Sequence, residues 1–353
     1  MSTATIPAAP VDRHPLNLRG RTLGRPALAA IAAGAVVLTG LLYLVTSIHS
    51  RIQFVLIAVL LFSAGQAIAS VVVEGGRRAR DRLVTTLVFG SFLLALIPLV
   101  AVLGSVIVRG ADRLNMNFLT HSMRGVGARS AAGGIYHAIV GTLEQVALAS
   151  LIAVPFGLLV AIYLVEYGRG RVSRVISFFV DVLTGLPSII AGLFVLSFWI
   201  LALGQGFSGF AGALALAILM VPVVVRSAEE MLKLVPDELR EASYALGVAR
   251  WRTILKVVLP TALPGIVTGV MLAVARVAGE TAPLLLTVFG TNSINFNPFS
   301  GEQSALPLYI YSQAGQPQQT AIDRAWAAAL SLIIIIMLLN LVARLVARRA
   351  TIR

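Results

Sequence analysis

Eight long apolar runs decide what this 353-residue chain can become. They cover residues 26–48, 52–73, 83–108, 135–167, 172–203, 207–225, 262–288 and 326–346. About 20 apolar residues span the bilayer hydrocarbon as a helix, which satisfies every backbone polar group from within the segment. Eight such runs predict an all-α integral membrane protein with about eight transmembrane helices. Composition agrees, with 58% hydrophobic and only 12% charged residues. The chain has no cysteine, which excludes a disulfide framework and a thiolate metal site. The fourth and fifth runs are overlong, which predicts tilt, bending or extension beyond the bilayer. The first run is too long and too far from the start for an ordinary signal peptide.

The net charge of +13 raises the prospect of nucleic acid, but the placement of the charge speaks for a membrane. With the N-terminus inside, 21 of the 28 Lys and Arg residues fall on inner segments. Six fall outside (Arg51, Arg109, Arg113, Arg124, Arg129 and Arg324), and Arg276 lies within a span. Inner loops of membrane proteins carry such an excess, so both termini are expected in the cytoplasm. Trp199 and Trp326 fall at outer span ends, where interfacial aromatics belong.

Organisation follows from where polar residues enter the spans. Residues 1–25 read as a basic, disordered cytoplasmic tail. Residues 26–73 read as an accessory two-helix hairpin, nearly uncharged within. From residue 74 onward Glu144, Pro155, Asp181, Pro187, Pro222, Pro264, Arg276, Glu280 and Pro283 appear inside or beside spans, so 74–353 is the expected functional core. Outer loops 110–134 and 290–324 are long and rich in Gly, Asn, Ser and Gln. They are either surface connections or a docking face or gate.

The inner loop 226–260 has more pattern. Pro236 fits the first position of a helix, and Asp237, Glu238 and Glu241 suit its positive end. Gly247 is a helix stop. A second helix is expected over 249–258, ended by Pro260. By periodicity alone this loop is either an amphipathic connector on the headgroups or a helix–turn–helix elbow.

Arg276 and Glu280 are the costly pair in the seventh run. A charge near the bilayer centre costs about 2.5–3.5 kcal/mol on insertion scales. Four residues apart on one helix they would share a face. Either they neutralise each other for insertion, or they line a passage in which the guanidinium meets an oxyanion bidentately. Gly279 and Pro283 favour an opened or kinked helix there, and Thr281 adds a hydroxyl. Glu144, Asp181, Pro187, Gly279 and Pro283 are further candidates for lining or gating the route. For Glu144 and Asp181 the plainer alternative is hydrogen bonding to neighbouring helices. Thr142, Thr184 and Ser188 are helix–helix glue or oxyanion donors. The four histidines show no metal spacing, and no catalytic constellation is present.

Two sets of residues carry a family resemblance. Glu241-Ala242-Ser243, then Gly247, then Val257-Val258-Leu259-Pro260 resemble the EAA loop of type I ABC importer permeases, with Ser243 and Val257 as mild departures. The resemblance implies a six-helix permease core beyond the hairpin. It also implies that Glu241, Ala242, Gly247, Leu259 and Pro260 couple to an ATP-binding subunit. Residues 132–167, 185–195, 275–283 and 306–311 together resemble the PstA-type permeases of bacterial phosphate importers. That implies a plasma-membrane location, two ATP-binding chains, a homologous second permease and an external phosphate-binding protein. ATP and magnesium would sit on the partner, with no cofactor on this chain. Lys233 and Lys256 are the only lysines, and neither lies in a G-x-x-x-x-G-K-[ST] loop. Another oxyanion, sulfate or molybdate, is the alternative cargo. A self-sufficient secondary transporter would need internal inverted repeats, and none is visible.

Overall fold

The computed structural model describes residues 23–45, 51–127 and 129–351. Most of the basic tail, with Arg13, Arg19, Arg21 and His14, lies outside the described residues. So do residues 46–50, with His49, between the first two spans.

The helices in order are α1 (Arg25–Val45), α2 (Arg51–Glu74), α3 (Gly76–Ala111), α4 (Met116–Thr120), α5 (Tyr136–Ile162), α6 (Arg171–Thr184) and α7 (Ser188–Val195). They continue with α8 (Gly209–Lys233), α9 (Asp237–Ala245), α10 (Arg250–Thr253), α11 (Leu259–Ala278), α12 (Ala282–Thr287), α13 (Leu306–Ala314) and α14 (Gln319–Thr351). Wider π-helical turns extend α5 (Tyr163–Tyr167) and α7 (Leu196–Ala202) and join α10 to α11 (Ile254–Val258). Among the described residues the only β pairing is an isolated bridge, Phe289 to Gln303. Among the described residues seven helices are long and apolar enough to cross a membrane, or eight if the bent pair α6–α7 is one span. That pair bends by 105°, so the overlong fifth run is a broken segment.

The chain divides into two compact units, Met1–Val102 and Leu103–Arg353. In the first, α1 packs against α2, with Tyr43 edge-on to Phe54 at 5.7 Å. Gly75 (φ 86°) makes the sharp turn into α3 that an L side chain would resist. Glu74 is the anchor of this unit. Its carboxylate takes Arg82 at 2.7 Å, the Ser70 hydroxyl at 2.7 Å and the Leu23 amide at 2.6 Å.

In the second unit α8 is the most buried of the spans. Its Ala213, Leu216, Ala217, Met220 and Val224 meet Val146, Ala149 and Ala153 of α5 and Ala273 and Val277 of α11. Small residues allow the close approach. A Cβ on Gly157 would lie 2.8 Å from Val224, and Cβ atoms on Gly265 and Gly269 would meet Met231 and Ser227 at 2.2 and 2.4 Å. The Gly265/Gly269 spacing is the small-x-x-x-small pattern of packed membrane helices.

One expectation needs correction. Pro260 does not end a helix. It stands just after the π turn through which α10 runs into α11, so a continuous helix carries it. The run 262–288 opens where Gly279 and Pro283 were expected to open it. α11 stops at Ala278, residues 279–281 form a break, and α12 begins at Ala282 with Pro283 in its first turn.

Candidate functional site: an elbow and a broken span

The elbow takes the expected form, shifted by one residue at its start. Pro236 caps α9 rather than opening it, and Asp237 and Glu238 occupy the first turn. Gly247 has φ 73°, and its amide bonds the Tyr244 carbonyl at 2.9 Å, while the Val248 amide bonds the Ser243 carbonyl at 3.2 Å. A left-handed residue therefore reverses the chain between α9 and α10, which is why a glycine stands there. Ser243 is more than a tolerated departure. Its hydroxyl is buried 2.9 Å from that of Thr253, tying α9 to α10. Ser243→Ala should cost about 1 kcal/mol, read as a small drop in the unfolding midpoint of the detergent-solubilised protein.

Glu241 and Ala242 are exposed on α9, and Gly247 is open at the tip, with nothing within 4 Å of where a Cβ would stand. Tyr244, Leu246 (84% exposed) and Trp251 surround them. Leu259 is half-buried and Pro260 exposed where the elbow enters α11. A helix with an exposed acid and an apolar collar is a surface suited to a partner.

The break after α11 separates the charges predicted to pair. Arg276 is in the last turn of α11, but Glu280 lies in the break, so they do not face each other across one helical turn. Among the described residues no ion pair joins Arg276 to Glu280, Glu144 or Asp181. The exposed positions of α11 are Pro260, Thr261, Pro264, Thr268, Leu272 and Arg276, and from Thr261 on they form a stripe at helical spacing that continues to Gly279. Glu280 and Thr281 are half-buried, and Thr281 caps α12 without a side-chain bond.

Pro283 is buried against α7, and a Cβ on Gly192 would lie 2.7 Å from its Cα. The stretches 185–195 and 275–283 thus meet at a glycine–proline crossing. Pro187 is exposed at the start of α7, on the 105° bend.

Asp181 and Glu144 have partners within the chain. Arg226 bonds Asp181 and also takes Glu229 at 2.6 Å, and Lys233 takes the same Glu229 at 2.7 Å. No second subunit is needed to balance Asp181. Glu144 accepts from the Gln303 amide at 2.5 Å. Beside it Gln145 donates to Gln303 at 2.9 Å and to the Ser304 carbonyl at 3.1 Å, and Thr142 accepts the Leu306 amide at 2.7 Å. This polar seam fastens the end of the 290–305 loop to the first turns of α5. A Cβ on Gly141 would lie 2.0 Å from the Ser304 carbonyl oxygen. Gly141→Ala should therefore displace this loop and destabilise the protein by about 1–3 kcal/mol, read as a lower melting midpoint and faster protease cleavage within 290–302.

The other long loop is held as firmly. Arg324, fully buried, donates to the Ser130 carbonyl and the Gln313 side chain, both at 2.8 Å. Nearby, burial pushes the Tyr309 phenol up to about 12 against the pull of Arg324 and Arg113, so it stays protonated at physiological pH.

Three charged residues escaped the sequence reading. Glu166, 4% exposed in the π turn that closes α5, takes Arg240 of α9 at 3.0 Å and offers its carbonyl to Arg250 of α10. Arg240 and Arg250 look like ordinary inner-loop charges in the sequence. The one available signal was Glu166 itself, a lone acid at the end of an apolar run.

Among the described residues, seven or eight candidate spans, with an elbow leading directly into a broken one, make this a polytopic membrane protein. The chain belongs to the family of binding-protein-dependent transport system inner membrane components, whose model matches residues 153–352. Over 276 residues it is 54% identical to the phosphate transport system permease protein PstA 1 of Mycobacterium tuberculosis (strain CDC 1551 / Oshkosh), covering 78% of this chain and 91% of that protein. It is 51% identical to the phosphate transport system permease protein PstA of Mycobacterium leprae (strain TN), covering 75% and 88%. The corresponding protein of Pasteurella multocida (strain Pm70) is 38% identical, covering 76% and 95%. Among solved structures, a bacterial alginate ABC transporter in complex with an alginate pentasaccharide-bound periplasmic protein matches with a TM-score of 0.54. That match covers 77% of this chain and 96% of the other at 16% identity, a likeness of fold alone.

Proposed function

We propose that this chain is one permease subunit of an ATP-driven importer that moves inorganic phosphate across the bacterial plasma membrane. The observation that carries the proposal is Arg276. Its guanidinium lies midway along the 262–288 run, on the exposed stripe of α11, and forms no ion pair among the described residues. Turned to lipid, such a charge costs about 2.5–3.5 kcal/mol or more. Turned to an aqueous passage or a second chain, it is a fixed fork of donors that matches phosphate oxygens. Glu280 and Thr281 occupy the adjacent break, and Gly279 and Pro283 let that break change shape. Relatives named as phosphate permeases, matching more than three quarters of the chain, favour phosphate over sulfate or molybdate.

In this reading the elbow faces the cytoplasm with both termini. It docks one of two ATP-binding subunits through Glu241, Ala242 and Gly247, and Leu259 and Pro260 pass the movement into α11. ATP and magnesium are held by those subunits. A homologous second permease faces the α11 stripe, and an external phosphate-binding protein delivers the cargo to the opposite end. Residues 26–73 are an accessory hairpin, and 74–353 are the core. Competition tests the choice of cargo. In vesicles holding the assembled complex with ATP inside, excess unlabelled phosphate should abolish labelled phosphate uptake, while equal sulfate or molybdate should leave it unchanged. Stronger competition by either anion would reassign the cargo.

A further inference from the structure

Arg240 uses every hydrogen it has to offer. A guanidinium carries five N–H donors. Nε and Nη2 reach Glu166 Oε1 at 3.1 and 3.0 Å, and Nη2 also reaches the Leu232 carbonyl at 3.0 Å. Nη1 reaches the Val235 carbonyl at 2.6 Å and the Asp237 carboxylate at 3.0 Å. One side chain of α9 therefore joins the end of α5, the end of α8 and its own first turn. α10 is fastened to the same place. Arg250 donates to the Glu166 carbonyl and lies 4.9 Å over the Tyr167 ring. Both arms of the elbow thus converge on Glu166 and Tyr167, and the Glu166 side chain is 3% exposed. A buried ion pair in which the guanidinium uses all its donors holds its parts in one geometry. At its other end α5 is tied through Thr142, Glu144 and Gln145 to residues 303–306. The 22 residue steps from Glu144 to Glu166 make a strut about 33 Å long.

We propose that Glu166 is a positioning residue that fastens the elbow to α5, so that movement of the elbow reaches the 290–306 loop through α5 as well as Arg276 through α11. This rests on the importer reading, in which an ATP-binding subunit moves the elbow. α5 and the elbow then travel as one body, and the loop at the far end of α5 answers to the state of the ATPase.

Because the chain has no native cysteine, nitroxide labels can be confined to Leu159→Cys on α5 and Glu238→Cys on α9, both exposed. In the assembled complex the unaltered clamp should give one narrow label-to-label distance, the same without nucleotide and with ATP. Adding Glu166→Ala should broaden it. In the unlabelled complex the same change should lower the phosphate moved per ATP hydrolysed at least fivefold while the ATP-binding subunit stays bound. Glu166→Gln, which keeps an acceptor for Arg240, should restore most of the narrow distance. The proposal is overturned if the unaltered distance shifts on ATP binding. It is equally overturned if Glu166→Ala leaves the distance narrow, leaves the coupling ratio unchanged, or strips the ATP-binding subunit from the complex, which would make Glu166 a prop of the docking face only. If the distances behave as expected but the unaltered complex imports no phosphate, the cargo is wrong and the clamp stands.

Discussion

Glu241→Lys should abolish phosphate uptake while the chain remains inserted and folded. Glu241 is exposed on α9, and among the described residues no ion pair holds it, so the reversal breaks nothing within the chain. What it changes is the face proposed to dock the ATP-binding subunit. Losing one partner of a buried, hydrogen-bonded charge across an interface costs about 2–5 kcal/mol, and reversal adds repulsion. Retention of the ATP-binding subunit during purification should fall on the order of a hundredfold. Gly247→Val should weaken the same contact by another route. The φ of 73° costs a β-branched residue about 1–2 kcal/mol, although the space for a Cβ is open. Full retention and uptake in both variants would remove the elbow from the coupling contact.

Arg276→Gln should leave assembly and ATP-binding subunit retention intact but reduce phosphate transport on the order of a hundredfold. The estimate follows from one lost bidentate charge-assisted contact of about 3 kcal/mol at tenfold per 1.36 kcal/mol. Among the described residues Arg276 has no ion-pair partner, so the substitution leaves no orphaned carboxylate to destabilise the fold. Arg276→Lys should rescue only part of the loss, because a point charge cannot reproduce the fork. Initial rates of labelled uptake at saturating and limiting phosphate decide the matter. Unimpaired rates would mean that the arginine is merely tolerated.

The apolar runs made most of the bundle legible, because a span has to be long and apolar whatever its neighbours are. The elbow was legible because Pro236, the acids of α9 and Gly247 act locally, each through its own backbone or the helix dipole. What the sequence hid depends on partners far away in the chain. Arg240 and Arg250 were counted as charges of an inner loop, yet both reach back to Glu166, 74 and 84 residues earlier. Gln303 lies in a loop that reads as polar filler, but its side chain joins Glu144 and Gln145 across 159 and 158 residues. The Arg276–Glu280 pair failed for a local reason. Gly279 and Pro283 were both recognised as weak points, but the break they make removes the helical turn that a pairing at i,i+4 requires.

The most direct test is accumulation of labelled phosphate in sealed vesicles that hold the chain with the ATP-binding subunits, second permease and external binding protein proposed for it, with or without ATP inside. Phosphate should rise above its outside concentration only when ATP is present and is being hydrolysed. Accumulation of the same size without ATP, driven by an imposed proton or sodium gradient, would contradict an ATP-driven permease and point to a self-sufficient secondary transporter.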